Sequence, residues 1–143
     1  MQQIIIIITL LFSSVVLAQT QEDTTKLNGT TLTVEVTNAL GDKGVISFAL
    51  FNKEGFRSKA LQAMSSKIDN GIASVQFESV PEGEYAVICF HDENENNKMD
   101  FYENGMPKES YGTSNNPFLM GPPQFENSKF MVLKEELKLE IKF

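Results

Sequence analysis

Apolar and polar residues alternate with a period of two in one short run after another along this chain. Leu32, Val34 and Val36 fall on one side, with Thr31, Thr33, Glu35 and Thr37 opposite. Ile46, Phe48 and Leu50 repeat the pattern after the turn residues Gly41-Asp42-Lys43-Gly44. Successive side chains of an extended backbone point to opposite faces, so this spacing predicts half-buried strands. Ile72 to Glu78 reads the same way, with Ala73, Val75 and Phe77 on one face after the turn signal Asp69-Asn70-Gly71. Val80-Pro81-Glu82-Gly83 is the next turn and Glu84 to His91 the next strand. Lys129 to Leu133, a turn at Lys134-Glu135-Glu136, and the alternating Leu137, Leu139, Ile141 and Phe143 make a closing hairpin. Phe51 to Lys67 fits either an irregular strand or a helical turn. These runs amount to about seven short strands with no convincing amphipathic helix. They predict an all-β fold, an immunoglobulin-like or transthyretin-like β-sandwich with one long ordered loop.

The strand from Glu84 to His91 is apolar on both faces. Ala86, Ile88 and Phe90 share one side, and Tyr85, Val87 and Cys89 share the other. Such a strand is central, with its outer face covered. The candidate cover is Asp92 to Glu126, 35 residues without sustained periodicity that hold six Asn, three Gly and four of the five Pro. Loops of that length in compact domains are usually functional or stapled. This one is expected to lie over Tyr85, Val87 and Cys89, using Phe101, Tyr102, Tyr111, Phe118 and Phe125. Gly121-Pro122-Pro123 reads as a rigid connector with room for one cis bond.

The first 18 residues are almost all apolar and are set apart from the fold. Ile4 to Leu17 is 14 positions long, short for a bilayer span and suited to a secretory signal. Val16 and Ala18 place small residues before a cut ahead of Gln19. The stretch before Ile4 has no Lys or Arg, so an uncleaved anchor is the alternative. Gln at position 19, rather than Cys, argues against a lipid-anchored cut. The expected organisation is a signal peptide at 1–18, a flexible polar segment at 19–28 and a β-sandwich domain at 29–143 with its loop at 92–126. The protein is then exported, periplasmic or extracellular, with no transmembrane anchor after cleavage.

The signal carries no charged residue, so all 12 basic and 19 acidic residues belong to the exported part, with net charge −7. An acidic chain repels phosphate backbones, which argues against nucleic acid as a partner. One His and one Cys exclude a multi-His metal site, a disulfide framework and a Cys-rich zinc site. Cys89 reads as a buried apolar residue. His91 reads as structural, its ring bonded to loop backbone. As the only His it would have to serve any Ser/His/Asp triad, yet Ser110 and Ser114 lie in no nucleophile-elbow motif.

The chemistry sits at the start of the loop, Asp92-Glu-Asn94-Glu-Asn96-Asn-Lys98-Met-Asp100-Phe-Tyr-Glu103. Oxygen side chains fall at the first, third, fifth, ninth and twelfth positions. Calcium takes six to eight hard oxygen ligands, and alternate residues of a tightly wound loop can converge on it. Asp92, Asn94, Asn96 and Asp100 would point inward, Asp100 directly or through water. Lys98 would give its carbonyl, and Glu103 would close the site bidentately. The pattern resembles the calcium loop of EF-hands. Asn97 stands where that family has Gly, and a strand rather than a helix enters the loop. The plain alternative is a metal-free acidic loop, because Asp and Asn also favour surface turns. Gly112-Thr-Ser-Asn-Asn116 could cradle an anion through backbone amides, but an ordinary turn is the simpler reading.

Three further segments carry a family resemblance. Val80-Pro-Glu-Gly-Glu-Tyr-Ala-Val leads through Phe90-His-Asp-Glu-Asn-Glu-Asn. Gly105-Met-Pro-Lys-Glu-Ser-Tyr-Gly-Thr-Ser-Asn-Asn116 and Gly121-Pro-Pro-Gln-Phe-Glu126 follow. Together they resemble the bacterial DUF2141 family, small exported proteins without an assigned activity, over roughly Leu32 to Phe143. The resemblance implies a secreted β-sandwich and no enzyme activity or known ligand.

Three functions are open at this point. The favoured one is a non-catalytic binding or structural module, calcium-stabilised, presenting its loop or a sheet edge to a protein or glycan. The alternative is a secreted hydrolase using the loop carboxylates, with the ion as Lewis acid. A carrier of a small apolar ligand inside the sandwich is disfavoured, because Phe48, Phe77 and Phe90 should fill so small a core.

Overall fold

The computed structural model describes residues 29–143. The signal peptide and polar segment expected over 1–28 lie outside the described residues. Eight strands and one helical turn follow in order: β1 (Thr30–Val36), β2 (Val45–Phe51), β3 (Gln62–Lys67), β4 (Ala73–Val80), β5 (Gly83–Asp92), β6 (Tyr111–Thr113), α1 (Phe125–Ser128), β7 (Phe130–Val132) and β8 (Leu137–Ile141). They form a β-sandwich. One sheet has the order β4-β1-β8, with β1 antiparallel to β4 and parallel to β8. The larger has the order β3-β2-β5-β6, and β7 pairs with the first residues of β5, so β7 and β8 join different sheets across the Lys134–Glu136 turn and do not form the expected closing hairpin.

The period-two pattern becomes the core. Leu32, Val34 and Val36 of β1 and Val75 and Phe77 of β4 form one cluster with Ile46, Phe48 and Leu50 of β2. Tyr85, Val87 and Cys89 of β5 and Ile141 of β8 belong to the same cluster. Each large side chain removed from water contributes about 1.5–3 kcal/mol before the entropy of ordering is subtracted.

The expected cover lies on the other face of β5. The register pairs Phe48 with Cys89 and Leu50 with Val87. Cross-strand partners share a face, so Val87 and Cys89 turn inward with Phe48 and Leu50. The long loop instead walls the face that carries Ile88 and Phe90. Its aromatics divide accordingly. Phe118 is 91% exposed and Tyr102 is exposed too, whereas Phe125 is buried. Phe125 meets Phe56 edge-on at 5.5 Å, and Phe56 meets Phe51 at 5.8 Å.

Two strands had weak or no signal. Gln62 to Lys67 is the irregular strand rather than the helical turn. As β3 it edges the sheet beside β2 with neither face buried, which removes the alternation. Three-residue β6 lies inside the long loop, too short to show a period. The end of the loop is stapled by buried hydroxyls. Ser114 Oγ accepts the Val87 N–H at 3.0 Å and donates to the Ser128 carbonyl, and Ser128 Oγ donates to Thr113 Oγ1 at 3.0 Å. Asn116 then ties the loop to the smaller sheet. Its amide donates to the Glu140 carbonyl at 2.9 Å, and its oxygen accepts the Lys142 N–H at 2.8 Å. The stretch 112–116 is thus the end of β6 and the turn after it, bonded to protein. No peptide bond among the described residues is cis, Gly121-Pro122-Pro123 included. No described helix is long and apolar enough to cross a membrane.

Candidate cation site in the long loop

β5 delivers the site by ending in His91-Asp92. Both are buried, and Asp92 is 0% exposed. The turn before β2 packs directly on them. Gly44 has φ +77° and a Cβ there would collide with the Asp92 carbonyl oxygen, so this position requires glycine on two counts. His91 Nε2 donates to the Lys43 carbonyl at 2.7 Å, which fixes that nitrogen as the protonated one. Its bond is therefore to the turn before β2, while its backbone N–H binds Ser110 O at 2.9 Å. Among the described residues no serine hydroxyl hydrogen-bonds His91, and Ser114 Oγ is taken up by backbone partners. Cys89 is free and buried. Burial pushes its thiol pKa up, against the smaller opposing effect of the Gly112 carbonyl.

From Asp92 the backbone coils. Asp92 Oδ1 accepts the Asn96 N–H at 3.1 Å and Oδ2 the Asn97 N–H at 2.8 Å. Asn94 Oδ1 accepts the Asn96 N–H at 3.1 Å, and Asn96 Oδ1 the Lys98 N–H at 2.8 Å. Glu95 and Asn97 are left-handed, with φ 57° and 62°. Asn97 thus adopts the conformation that the EF-hand pattern gives to glycine. Asp100 closes the coil, its Oδ2 accepting Nδ2 of Asn94 at 2.7 Å and of Asn96 at 3.1 Å. Four of the expected ligating residues, Asp92, Asn94, Asn96 and Asp100, are therefore linked in one network, with Lys98 on its rim.

Glu103 stands apart. After Asp100 the chain forms a small hairpin, with Tyr102 N–H to Met106 O at 2.8 Å, Lys108 N–H to Asp100 O at 2.9 Å, and a bridge between Phe101 and Pro107. Glu103 lies in its exposed turn and makes no hydrogen bond to the four. Glu109 comes closer, its Oε2 accepting the Asp100 N–H at 3.0 Å. It falls outside the twelve-residue window, and the hairpin signal Asn104-Gly105 could have placed it.

Two carboxylates and two amides thus meet, although no described group of three His, Cys, Asp or Glu side chains is arranged to hold a metal. Among the described residues no Lys or His nitrogen makes an ion pair with Asp92 or Asp100; the pairs formed lie elsewhere, such as Lys53–Glu126 at 2.9 Å and Lys129–Glu84 at 3.0 Å. A buried carboxylate without a countercharge favours a nearby cation. Each Asn Oδ1 keeps a second lone pair beside its backbone N–H. The Nδ2 groups that now face Asp100 would have to swing aside. The donor set is then all oxygen, the type that calcium prefers.

The family model of DUF2141, an uncharacterized protein conserved in bacteria, matches residues 34–140. The chain belongs to DUF2141. The match runs from within β1 to within β8 and takes in the whole loop, so the network around Asp92 lies inside the DUF2141 region. No curated protein and no solved structure matches the chain.

Proposed function

We propose that this DUF2141 protein is an exported, non-catalytic binding or structural module whose long loop is held in shape by calcium, with a protein or glycan as partner. The observation that carries the reading is Asp92, a fully buried carboxylate without an ion-pair partner among the described residues. It organises the Asn94–Asn96–Asp100 network. In this reading Asp92, Asn94, Asn96 and Asp100 give side-chain oxygens and Lys98 its carbonyl. Glu103 completes the set when the Phe101–Pro107 hairpin tilts toward Asp100. Calcium is favoured over magnesium because a flexible loop with many oxygens suits the larger ion, whereas magnesium demands a tight octahedron and retains its waters.

The test is thermal melting of the exported protein in calcium and in chelator. At a hundredfold excess over the dissociation constant, binding stabilises the fold by about 2.7 kcal/mol. For a domain of this size that is a shift on the order of ten degrees. Asp100→Asn should abolish the shift. Identical melting of the native protein under both conditions would reject the reading.

A further inference from the structure

A groove crosses the outer face of the larger sheet and borders the cation network at Asn97 and Glu109. Ser47 and Ala49 of β2 and Ile88 and Phe90 of β5 line one side, and the loop between Met99 and Pro123 lines the other. Its volume is about 1170 Å³, a little above the range of about 300–1,000 Å³ usual for small-molecule sites. The sandwich interior offers no such room, since Phe48 and Phe77 fill it.

The lining is apolar yet uncovered. Phe101 is 55% exposed, Met106 61% and Met120 90%, and all three line the groove with Met64 and Met99. Methionine is flexible and polarizable, so such a wall can mould itself to an aliphatic guest. Contiguous exposed apolar surface of this kind marks a binding site.

Charge is distributed unequally along the groove. Arg57, the only arginine in the chain, lines the end near Phe51 and Phe56. It makes no ion pair among the described residues. Glu109 lines the opposite end, next to Asp100 and to the Ser110–His91 backbone bond. The β2 floor from Ser47 to Phe51 spans roughly 13 Å at about 3.3 Å per residue. A guanidinium offers a planar fork that matches a carboxylate. A pure hydrocarbon would leave that fork unused, and an amphipathic cation would be repelled by it and find at the other end only Glu109, whose Oε2 already accepts the Asp100 N–H.

We propose that this groove binds a medium-chain aliphatic carboxylate, its tail over Ala49, Ile88 and Phe90 and its head at Arg57. The proposal rests on reading the protein as a binding module and names the class of ligand.

The test titrates the exported protein with dodecanoate, dodecanol and dodecylammonium, each below its micellar or solubility limit, in chelator and in calcium too dilute to precipitate the soap. One dodecanoate should bind per chain, at least tenfold more tightly than dodecylammonium. Arg57→Gln should weaken dodecanoate tenfold or more, the range expected for a lost charge-assisted hydrogen bond, and leave dodecanol unchanged. Ala49→Phe, which narrows the floor, should weaken both the acid and the alcohol. Absence of saturable dodecanoate binding, equal affinity for the three head groups, or indifference to Arg57→Gln would each overturn the proposal. So would dimerisation through this face in place of ligand uptake. Loss of dodecanoate binding with calcium-dependent melting intact overturns the groove alone. Dodecanoate uptake without calcium-dependent melting overturns the cation reading alone.

Discussion

Asp92 Oδ2 accepts the backbone N–H of Asn97 at 2.8 Å, spanning the first turn of the long loop. The other oxygen takes the Asn96 N–H at 3.1 Å, so a single buried carboxylate sets the coil. Asp92→Ala leaves the Asn97 N–H without its acceptor and the Asn96 N–H with Asn94 Oδ1 alone, and should cost about 2 kcal/mol. Asp92→Asn keeps one acceptor and should cost about half as much. Urea denaturation of the three proteins in chelator checks this; equal midpoints would show that the carboxylate does not organise the loop.

Asn97 pays for its left-handed backbone with little strain, because asparagine tolerates that region better than other non-glycine residues. Asn97→Ala should lower stability by about 1 kcal/mol, whereas Asn97→Gly should stay within about 0.5 kcal/mol of the native protein. Denaturant midpoints read both. A glycine variant less stable than the alanine variant would contradict the observed φ of 62°.

Glu126 is held below the ordinary carboxylate range, first by a hydrogen bond from Lys53 and then by one from Lys129. A depressed folded pKa gives stability that is complete above the unfolded value near 4.5 and lost as pH falls through the folded value. Lys129 is raised, first by Glu84 and then by Glu126. Its contribution is complete below about pH 10.5 and lost as pH rises through the folded value. Melting temperature should therefore fall on acidification below about pH 4.5, and Glu126→Gln should flatten that slope. These groups are solvent-exposed, so the difference should be small and should shrink in high salt. An unchanged acid slope in the variant would remove Glu126 from the account.

Cys89 is buried in the core where β5 pairs with β6, with its Sγ 3.7 Å from the Gly112 carbonyl. Thiol labelling of the native protein should be slow at neutral pH and fast in denaturant, because burial raises the pKa and blocks access. Rapid native labelling would contradict the packing of β5 against β6.

Most of the sandwich was legible because a strand buried on one face writes its geometry into the sequence, as Leu32, Val34 and Val36 do. Edge strand β3 and three-residue β6 escaped for the opposite reason: neither buries one face over enough residues. The direction of β5 could not be read from a strand apolar on both sides. It is decided by pairing, which sets Val87 and Cys89 beside Leu50 and Phe48. In the loop, the spacing of Asp92, Asn94, Asn96 and Asp100 was enough to find the network, since alternate residues of a coil share a side. Glu109 was missed because a hairpin, not sequence proximity, brings it to Asp100.

Calorimetric titration of calcium into the chelator-treated protein tests the cation site most directly. One site per chain should appear, with a dissociation constant on the order of 10⁻⁵ to 10⁻³ M. It should be lost in Asp100→Asn and weakened in Glu103→Gln. No saturable heat up to several millimolar calcium would contradict the account and leave Asp92 to Glu103 as an acidic turn held by its own hydrogen bonds.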